Sequence, residues 1–455
     1  MDHIVLQTIR HTPLDEFAVI SYLVAFYVLT MATFQRPVYG LAGLVLIEPF
    51  ALYRDVGPTT LTLPKIAIAA VFVGLVLRRA PLRDLLGPRA LPLVTALCAI
   101  VAATALSYFQ ADYKLPVIRE TLKAIEYAVV FALAFLCYRM DPDERIMRTV
   151  FFIVAAAVSG LAISQEFTSA PGGMWISYMH AVPRIAGPLE GPNQLSGYLG
   201  LLLPVLVAYA LHRRPNVAEI VVMVVAGVAE ILTLSRAGVG ATIIAVAIVL
   251  MASRRKEARY YAVGAGLPIF VGLVALVMVG GEVRHFFSTE SQFQPSGLGT
   301  RSQLWTAAYR LWIRHPLLGI GAGNYELELD RVGFPGVHTH SNSGYIQALV
   351  EGGIPLLAAV LWMTWTSVVT FLRSPRVRAP LILGVLGASI GMAIHESLDY
   401  LLFFPKIGIL YWALLGCAVG CLVETDEERA AAATGNVTSQ PEVAVQPPLG
   451  APSAL

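Results

Sequence analysis

Charge is what this sequence has least of. Only 14% of its 455 residues are Asp, Glu, Lys or Arg, against roughly 25% in a soluble domain. With 56% hydrophobic residues and a mean hydropathy of +0.68, a soluble globular fold is excluded and a polytopic helical membrane protein is expected. The net charge is +2, and no segment gathers basic residues among aromatics, so nucleic acid is excluded as a partner. Cysteine is scarce as well. Cys98, Cys137, Cys417 and Cys421 lie in apolar runs and read as small hydrophobes. Cys417 and Cys421 stand one helical turn apart, but without histidine or carboxylate neighbours they make a poor zinc set. Residues 1–17 are polar and the first apolar run lacks a small-residue exit, so a cleavable leader is not expected. No internal repeat of fixed period is visible, which counts against the matching halves of many transporters.

What the chain does have is a series of apolar runs of membrane-crossing length. They cover approximately 18–34, 40–53, 61–77, 90–107, 120–138, 147–165, 194–211, 217–233, 237–252, 261–281, 354–372, 380–396 and 402–423. Two are short, so an all-α bundle of about 12–13 spans is expected. Alternate loops carry the cations: Arg36; Arg78, Arg79, Arg83 and Arg89; Arg139, Arg145 and Arg148; Arg213 and Arg214; Arg254 to Arg259; Arg373, Arg376 and Arg378. The positive-inside rule makes that set cytoplasmic and puts the remaining loops outside, on the periplasmic or external face of a bacterial inner (plasma) membrane. The chain divides accordingly into N-terminal spans over 1–281, an extracytoplasmic loop with short helices over 282–353, C-terminal spans over 354–424, and a tail over 425–455. That tail is rich in Ala, Pro and Gly without an apolar period, so it is expected to be disordered and cytoplasmic. The sequon Asn436-Val437-Thr438 falls on that side and reads as chance.

The stretch from Arg301 to Gly353 is the one long polar interruption, with four arginines, three histidines and two tryptophans. Loops that only turn the chain are short, and chemistry concentrates in the long ones. Arg301 opens an amphipathic helix running to about Arg314. Its Leu304, Trp305, Ala308, Leu311 and Trp312 form an apolar side expected to lie on the membrane surface, with Arg310 and Arg314 solvated. Residues 315–325, HPLLGIGAGNY, form a glycine-rich turn. No Gly-Lys-Ser/Thr follows and no strand precedes it, so nucleotide-binding loops are excluded. A structural re-entry is expected there, with a backbone-amide cradle for phosphate as the alternative. His338 and His340 alternate without a third ligand, so a metal site is not expected. A helix should start at Ser341 or Asn342, both good N-caps, run to Glu351 and stop at Gly352-Gly353. His340 then precedes a helix N-terminus, whose dipole keeps it neutral and able to accept a proton.

Outside the membrane there is neither ATP nor sugar nucleotide. A transferase there must use a substrate that carries its own activation, such as a glycan on a polyprenyl diphosphate. Transfer to a hydroxyl needs cations for the departing diphosphate and a base for the acceptor proton. Arginine suits the first task and histidine the second. Arg236 sits in LTLSRAGVGAT between two apolar helices, with Gly238 and Gly240 allowing close approach. An arginine there is costly unless it is partnered or faces water, so it reads as a phosphate ligand ahead of a snorkelling helix-end charge. Glu230, inside the preceding span, is expected to be a counter-ion for one of the arginines. Arg184 opens RIAGPLEGPNQLSGYLG, a broken segment that Asn193 is expected to cap, and it reads either as an anion site or as an ordinary capped loop. Arg301 can point back over the outer mouth of the bundle. His395, Glu396 and Asp399 make a secondary polar cluster.

Four ordered pieces carry a family resemblance: Arg-x-x-Gly-Pro…Pro-Asn-x-Leu at 184–195; Ser235-Arg236-Ala237-Gly238; Arg301…Leu304-Trp305 leading to His315-Pro-Leu-Leu-Gly-Ile-Gly321; and the block from the histidines to Glu351-Gly-Gly353. Together they resemble the O-antigen ligase and polymerase family of bacterial integral membrane glycosyltransferases, over roughly residues 184–370. The resemblance implies a mostly helical fold and an undecaprenyl-diphosphate-linked glycan donor. It also implies inverting transfer without metal or cofactor, outer-face arginines at Arg236, Arg301 and Arg184, and a base at His340 or His338. The chain departs from the pattern at one position. Asn342 occupies the place of the family's histidine when Glu351 is aligned, and His340 lies two residues earlier. The acceptor implied is a lipid A core for a ligase, the leading reading, or a further glycan unit for a polymerase. A transporter of lipid-linked glycan or of a small anion is the rival from another class, and a non-catalytic scaffold is a third.

Overall fold

The computed structural model describes residues 12–13, 16–50, 53–56, 59–168, 174–176, 183–253 and 298–422. Among these are fourteen α-helices. The N-terminal set is α1 (Glu16–Gln35), α2 (Pro37–Ile47), α3 (Leu63–Leu77), α4 (Leu91–Leu106), α5 (Lys114–Met140) and α6 (Glu144–Thr168). Then come α7 (Pro192–His212), α8 (Val217–Leu232), α9 (Arg236–Ala252), α10 (Leu298–Trp312) and the short α11 (Tyr325–Glu328). The chain closes with α12 (Gly344–Leu372), α13 (Pro380–Glu396) and α14 (Pro405–Leu422). Two small sheets accompany them: β1 (Thr12–Pro13), β2 (Tyr53–Val56) and β3 (Thr59–Thr62) in one, β4 (Met174–Ile176) paired antiparallel with β5 (Pro183–Ile185) in the other. The strands are short and the protein is all-α in class.

Every apolar run expected to span falls on a helix, except 261–281, which lies outside the described residues along with the tail after 422 and the start of the long loop. Among the described residues, seven helices are long and apolar enough to cross a membrane: α1, α4 with its extension to Phe109, α5, α6, α7, α12 and α14. Their starts follow local chemistry. Proline opens α2, α3, α4, α7 and α13, where its missing N–H costs nothing. Asn216 and Glu219 form a reciprocal capping box at α8. The centre of the bundle is α14 and α7, whose apolar windows are 89% and 78% buried, while α1 at 28% faces outward. Gly416 allows the close seating of α14 on α5, because a Cβ there would collide with the carbonyl of Phe131. Among the described residues no cysteine is in a disulfide; Cys137 and Cys417 are buried, and Cys98 faces out from α4.

Polar contacts divide the bundle into two ends. At one end Arg36 donates to Asp141 at 2.7 Å and Asp143 at 3.1 Å, and Arg148 pairs with Glu219 at 2.5 Å. Arg376 donates to the carbonyl of Cys421 at 3.1 Å, and Arg89 to that of Leu422. Among the described residues, the basic loops that alternate along the sequence therefore gather on one face. The opposite face collects the α4–α5 turn, the segment before α7, the α8–α9 turn, the polar loop and the α13–α14 turn.

A candidate site on the opposite face

The arginine side is organised from β5. Arg184 lies at the centre of that strand, and its guanidinium donates to the carbonyl of Thr233 at 2.8 Å and to Asn193 Oδ1 at 2.9 Å. Thr233 ends α8, so Arg184 fills a carbonyl left open at a helix C-terminus. Asn193 in turn donates from Nδ2 to Asp399 at 2.7 Å. Asn193 is thus not the cap of α7: Gly191 occupies that position and Pro192 the next, which frees the amide side chain for this relay. The Glu230 expectation is also corrected. Its carboxylate, 3% exposed, accepts from Ser196 at 2.7 Å and Thr242 at 3.0 Å instead of pairing with an arginine. It locks α7, α8 and α9 together beneath the turn that presents Arg236.

Arg236 is the first residue of α9, exposed, behind an N-cap Ser235 whose side chain makes no cap bond. Gly238 is required two residues on, because a Cβ there would meet Ser196 Oγ and stand 2.7 Å from His395 Cε1. The first turn of α9 therefore lies against the ring of His395 at the end of α13. His395 is 3% exposed, and both Arg301 and Asp399 lie within electrostatic reach of it. Arg184, Arg236 and Arg301 are thereby brought to one neighbourhood around Asp399 and His395, from β5, α9 and α10.

The polar loop is a small folded unit. The apolar side of α10 does not lie on a membrane surface: Leu304, Ala307, Ala308 and Leu311 pack with Ile320, Tyr325, Leu329, Val332 and Val350 in a core of their own. Arg310 and Arg314 are exposed. The glycine-rich turn is not a phosphate cradle, because its amides are already used. Those of Gly319, Ile320 and Gly321 donate to the carbonyls of His315, Val350 and Glu351, each at 2.9 Å. The amide of Ala322 donates to Ser107 Oγ at 3.0 Å, and Gly323 and Tyr325 donate to the Glu351 carboxylate. Glu351 also accepts from Gln347 at 2.9 Å. Its role is to fasten the turn to α12. Asn324 then clasps both backbone groups of Tyr113 at 3.0 Å. Arg331 bridges Glu328 at 2.8 Å and Asp112, whose carboxyl it holds below the usual range.

The two histidines part company. His338 is on the surface, its side chain 67% exposed and 3.5 Å from Glu326. His340 turns inward onto the α13–α14 turn, its ring centroid 4.5 Å from that of Phe403 and 5.3 Å from that of Tyr400. Burial first, and the nearby Lys123 ammonium second, lower its pKa to about 4, so it is neutral. The helix after it starts at Gly344 with Ser343 as cap, accepting from the Ile346 amide at 3.5 Å, one or two residues later than expected. Asn342 is instead a left-handed residue at φ 53°, the conformation that asparagine tolerates. α12 does not stop at Gly353 but breaks there, at φ 66° and ψ −160°, and continues into its span.

Asp399 is the residue whose importance the linear pattern understated. Its side chain holds Asn193 and its carbonyl accepts from Gly344 at 2.9 Å, so it ties α7 to the start of α12. Lys123 was not singled out at all. It stands in the N-terminal half of α5 among other charged residues, and only the fold brings it to within 3.5 Å of the Phe403 ring centroid.

Residues 221–361 match the family model described as O-antigen ligase. That stretch holds Arg236, Arg301, His338 and His340, and leaves Arg184, Asn193, His395 and Asp399 outside it. Among curated proteins, none matches the chain.

Proposed function

The match over residues 221–361 supports placing the chain in the O-antigen ligase and polymerase family, and from that premise we propose a membrane glycosyltransferase. It moves a glycan from an undecaprenyl diphosphate to an acceptor hydroxyl on the outer face of a bacterial inner membrane. The observation that carries this reading is the α13–α14 turn. Asp399 anchors the Arg184 network on one side, while Tyr400 and Phe403, one and four residues on, receive His340 on the other. A binding place for diphosphate and a base thus adjoin across one short stretch of chain.

In this reading Arg184, Arg236 and Arg301 bind the diphosphate and hold the charge that grows as it leaves. His340 takes the proton from the acceptor hydroxyl. That oxygen bonds to the anomeric carbon from the face opposite the departing diphosphate oxygen, and the configuration inverts. The electron pair of the broken bond leaves on the polyprenyl diphosphate. A base of pKa about 4 is weak in the free protein, and the arriving diphosphate anion raises its basicity when it is needed. Two arguments favour the neutral form at rest: it can accept a proton, and it does not add a fourth cation beside the arginines.

The matched description names a ligase, and in the ligase reading the acceptor is a lipid A core. Deletion of the gene and complementation with wild type, His340→Ala, His338→Ala or Arg236→Ala tests this. The expected outcome for deletion, His340→Ala and Arg236→Ala is lipid-linked polymer that accumulates unattached, while His338→Ala complements. Attachment of single units would instead indicate a polymerase. Normal surface glycan with both His340→Ala and Arg236→Ala would overturn the enzyme reading.

A further inference from the structure

On the His340 side of the α13–α14 turn lies a partly open cavity of about 160 Å³, lined by α4, α5, α12, α13 and α14. By comparison with a cavity of roughly 150 Å³ that accepts benzene, it holds one six-membered ring. Its walls are rich in aromatic faces: Tyr127, Tyr345, Tyr400, Phe403, Tyr411 and Trp412. Trp412 is 5% exposed, and its indole N–H finds no acceptor among the described residues. A buried indole N–H normally has a partner. At another part of the wall Lys123 sits 3.5 Å from the Phe403 ring centroid and pairs with Glu120 at 2.8 Å, so a donor and an acceptor stand together there. The same Phe403 ring meets His340.

We propose that this cavity binds one sugar ring of the acceptor, stacked on the aromatic wall, with Trp412 donating to one of its oxygens and the reactive hydroxyl turned toward His340. The proposal rests on the transferase reading above and names the acceptor's chemistry in it. An alkyl chain would fill the same volume but leave the indole N–H and the Lys123–Glu120 pair facing hydrocarbon. The donor's sugar is the poorer fit. An inverting displacement brings the nucleophile opposite the leaving group, and the arginines that hold the leaving group lie on the other side of Asp399.

The test is saturation-transfer NMR on the purified full-length protein, with methyl glucoside, methyl galactoside and methyl mannoside as probes. At least one should receive saturation on its ring protons. Trp412→Phe, which keeps an aromatic face but removes the N–H together with the five-membered ring, should weaken the signal at least five-fold in a protein that still melts cooperatively. Ala348→Leu, which fills the cavity from α12 without altering a polar group, should abolish it. No saturation of any glycoside, or equal saturation in wild type and Trp412→Phe, overturns the proposal. Because the readout is binding, glycoside capture by a chain that fails in complementation would sink the transferase reading and leave the cavity. Complementation without capture would do the reverse.

Discussion

His340 owes its neutrality to what the fold places around it more than to its position before a helix. The expected cause was the dipole of α12, but burial is the larger effect and Lys123 the second. The consequence for activity is measurable. The acid limb of kcat/KM reports the free enzyme, so it should fall near pH 4, well below the roughly 6.5 of an ordinary histidine. Lys123→Met should move that limb upward by part of the difference, since burial remains. The kcat limb, which reports the donor complex, should lie higher than either. The stability argument has the same sign. A histidine depressed in the native state binds fewer protons than in the unfolded chain, so stability is lost as pH falls below about 6.5 and levels off below about 4. His340→Gln should make the melting temperature less sensitive across that window. Arg184, Arg236 and Arg301 could be found in the sequence because a cation at an apolar helix end is an anomaly by itself. The partners of these residues could not: Asn193 looks like a cap until Gly191 and Pro192 take those positions, and Lys123 is bland until Phe403 is folded over it.

At the scale of elements, the spans were legible because hydrocarbon imposes a length and a composition on any helix that crosses it. The amphipathic pattern of α10 likewise announced a buried side. Periodicity says that a face is covered and not by what, which is why that face proved to be packed on the loop's own core. The break in α12 combines both lessons. Gly352-Gly353 was read as a stop, yet the chain only bends, because the carbonyls freed there are taken up by the re-entering turn: Ile320 and Gly321 donate to Val350 and Glu351 at 2.9 Å. Gly353 adopts φ 66° with ψ −160°, a region essentially restricted to glycine, and a Cβ there would collide with the carbonyl of Leu317. Gly353→Ala should therefore cost about 1–3 kcal/mol of backbone strain before any collision is counted. The measurement is the melting temperature of the purified protein, together with protease sensitivity of the 315–325 turn. A variant as stable as wild type would show that the break can move to Gly352.

For the whole molecule, the governing feature is the segregation of its polar chemistry to two ends. Among the described residues, the basic loops that alternate in sequence are joined to one another by ion pairs and carbonyl contacts at one end. All three arginines of the candidate site, His340 and the folded loop lie at the other. The positive-inside rule assigns the first end to the cytoplasm, and on the function proposed above the site then faces the side on which lipid-linked glycans are presented. Cysteine labelling separates this from the inverted arrangement. His338 and Arg83 are both exposed and lie at opposite ends. In a background where Cys98, Cys137, Cys417 and Cys421 are replaced by alanine, a membrane-impermeant maleimide applied to cells with a permeabilised outer envelope should label His338→Cys. It should leave Arg83→Cys untouched until the inner membrane is lysed. The reverse pattern would place the arginines among cytoplasmic nucleotides, where a transferase has no need of a diphosphate-linked lipid, and the functional argument would fail at its first step.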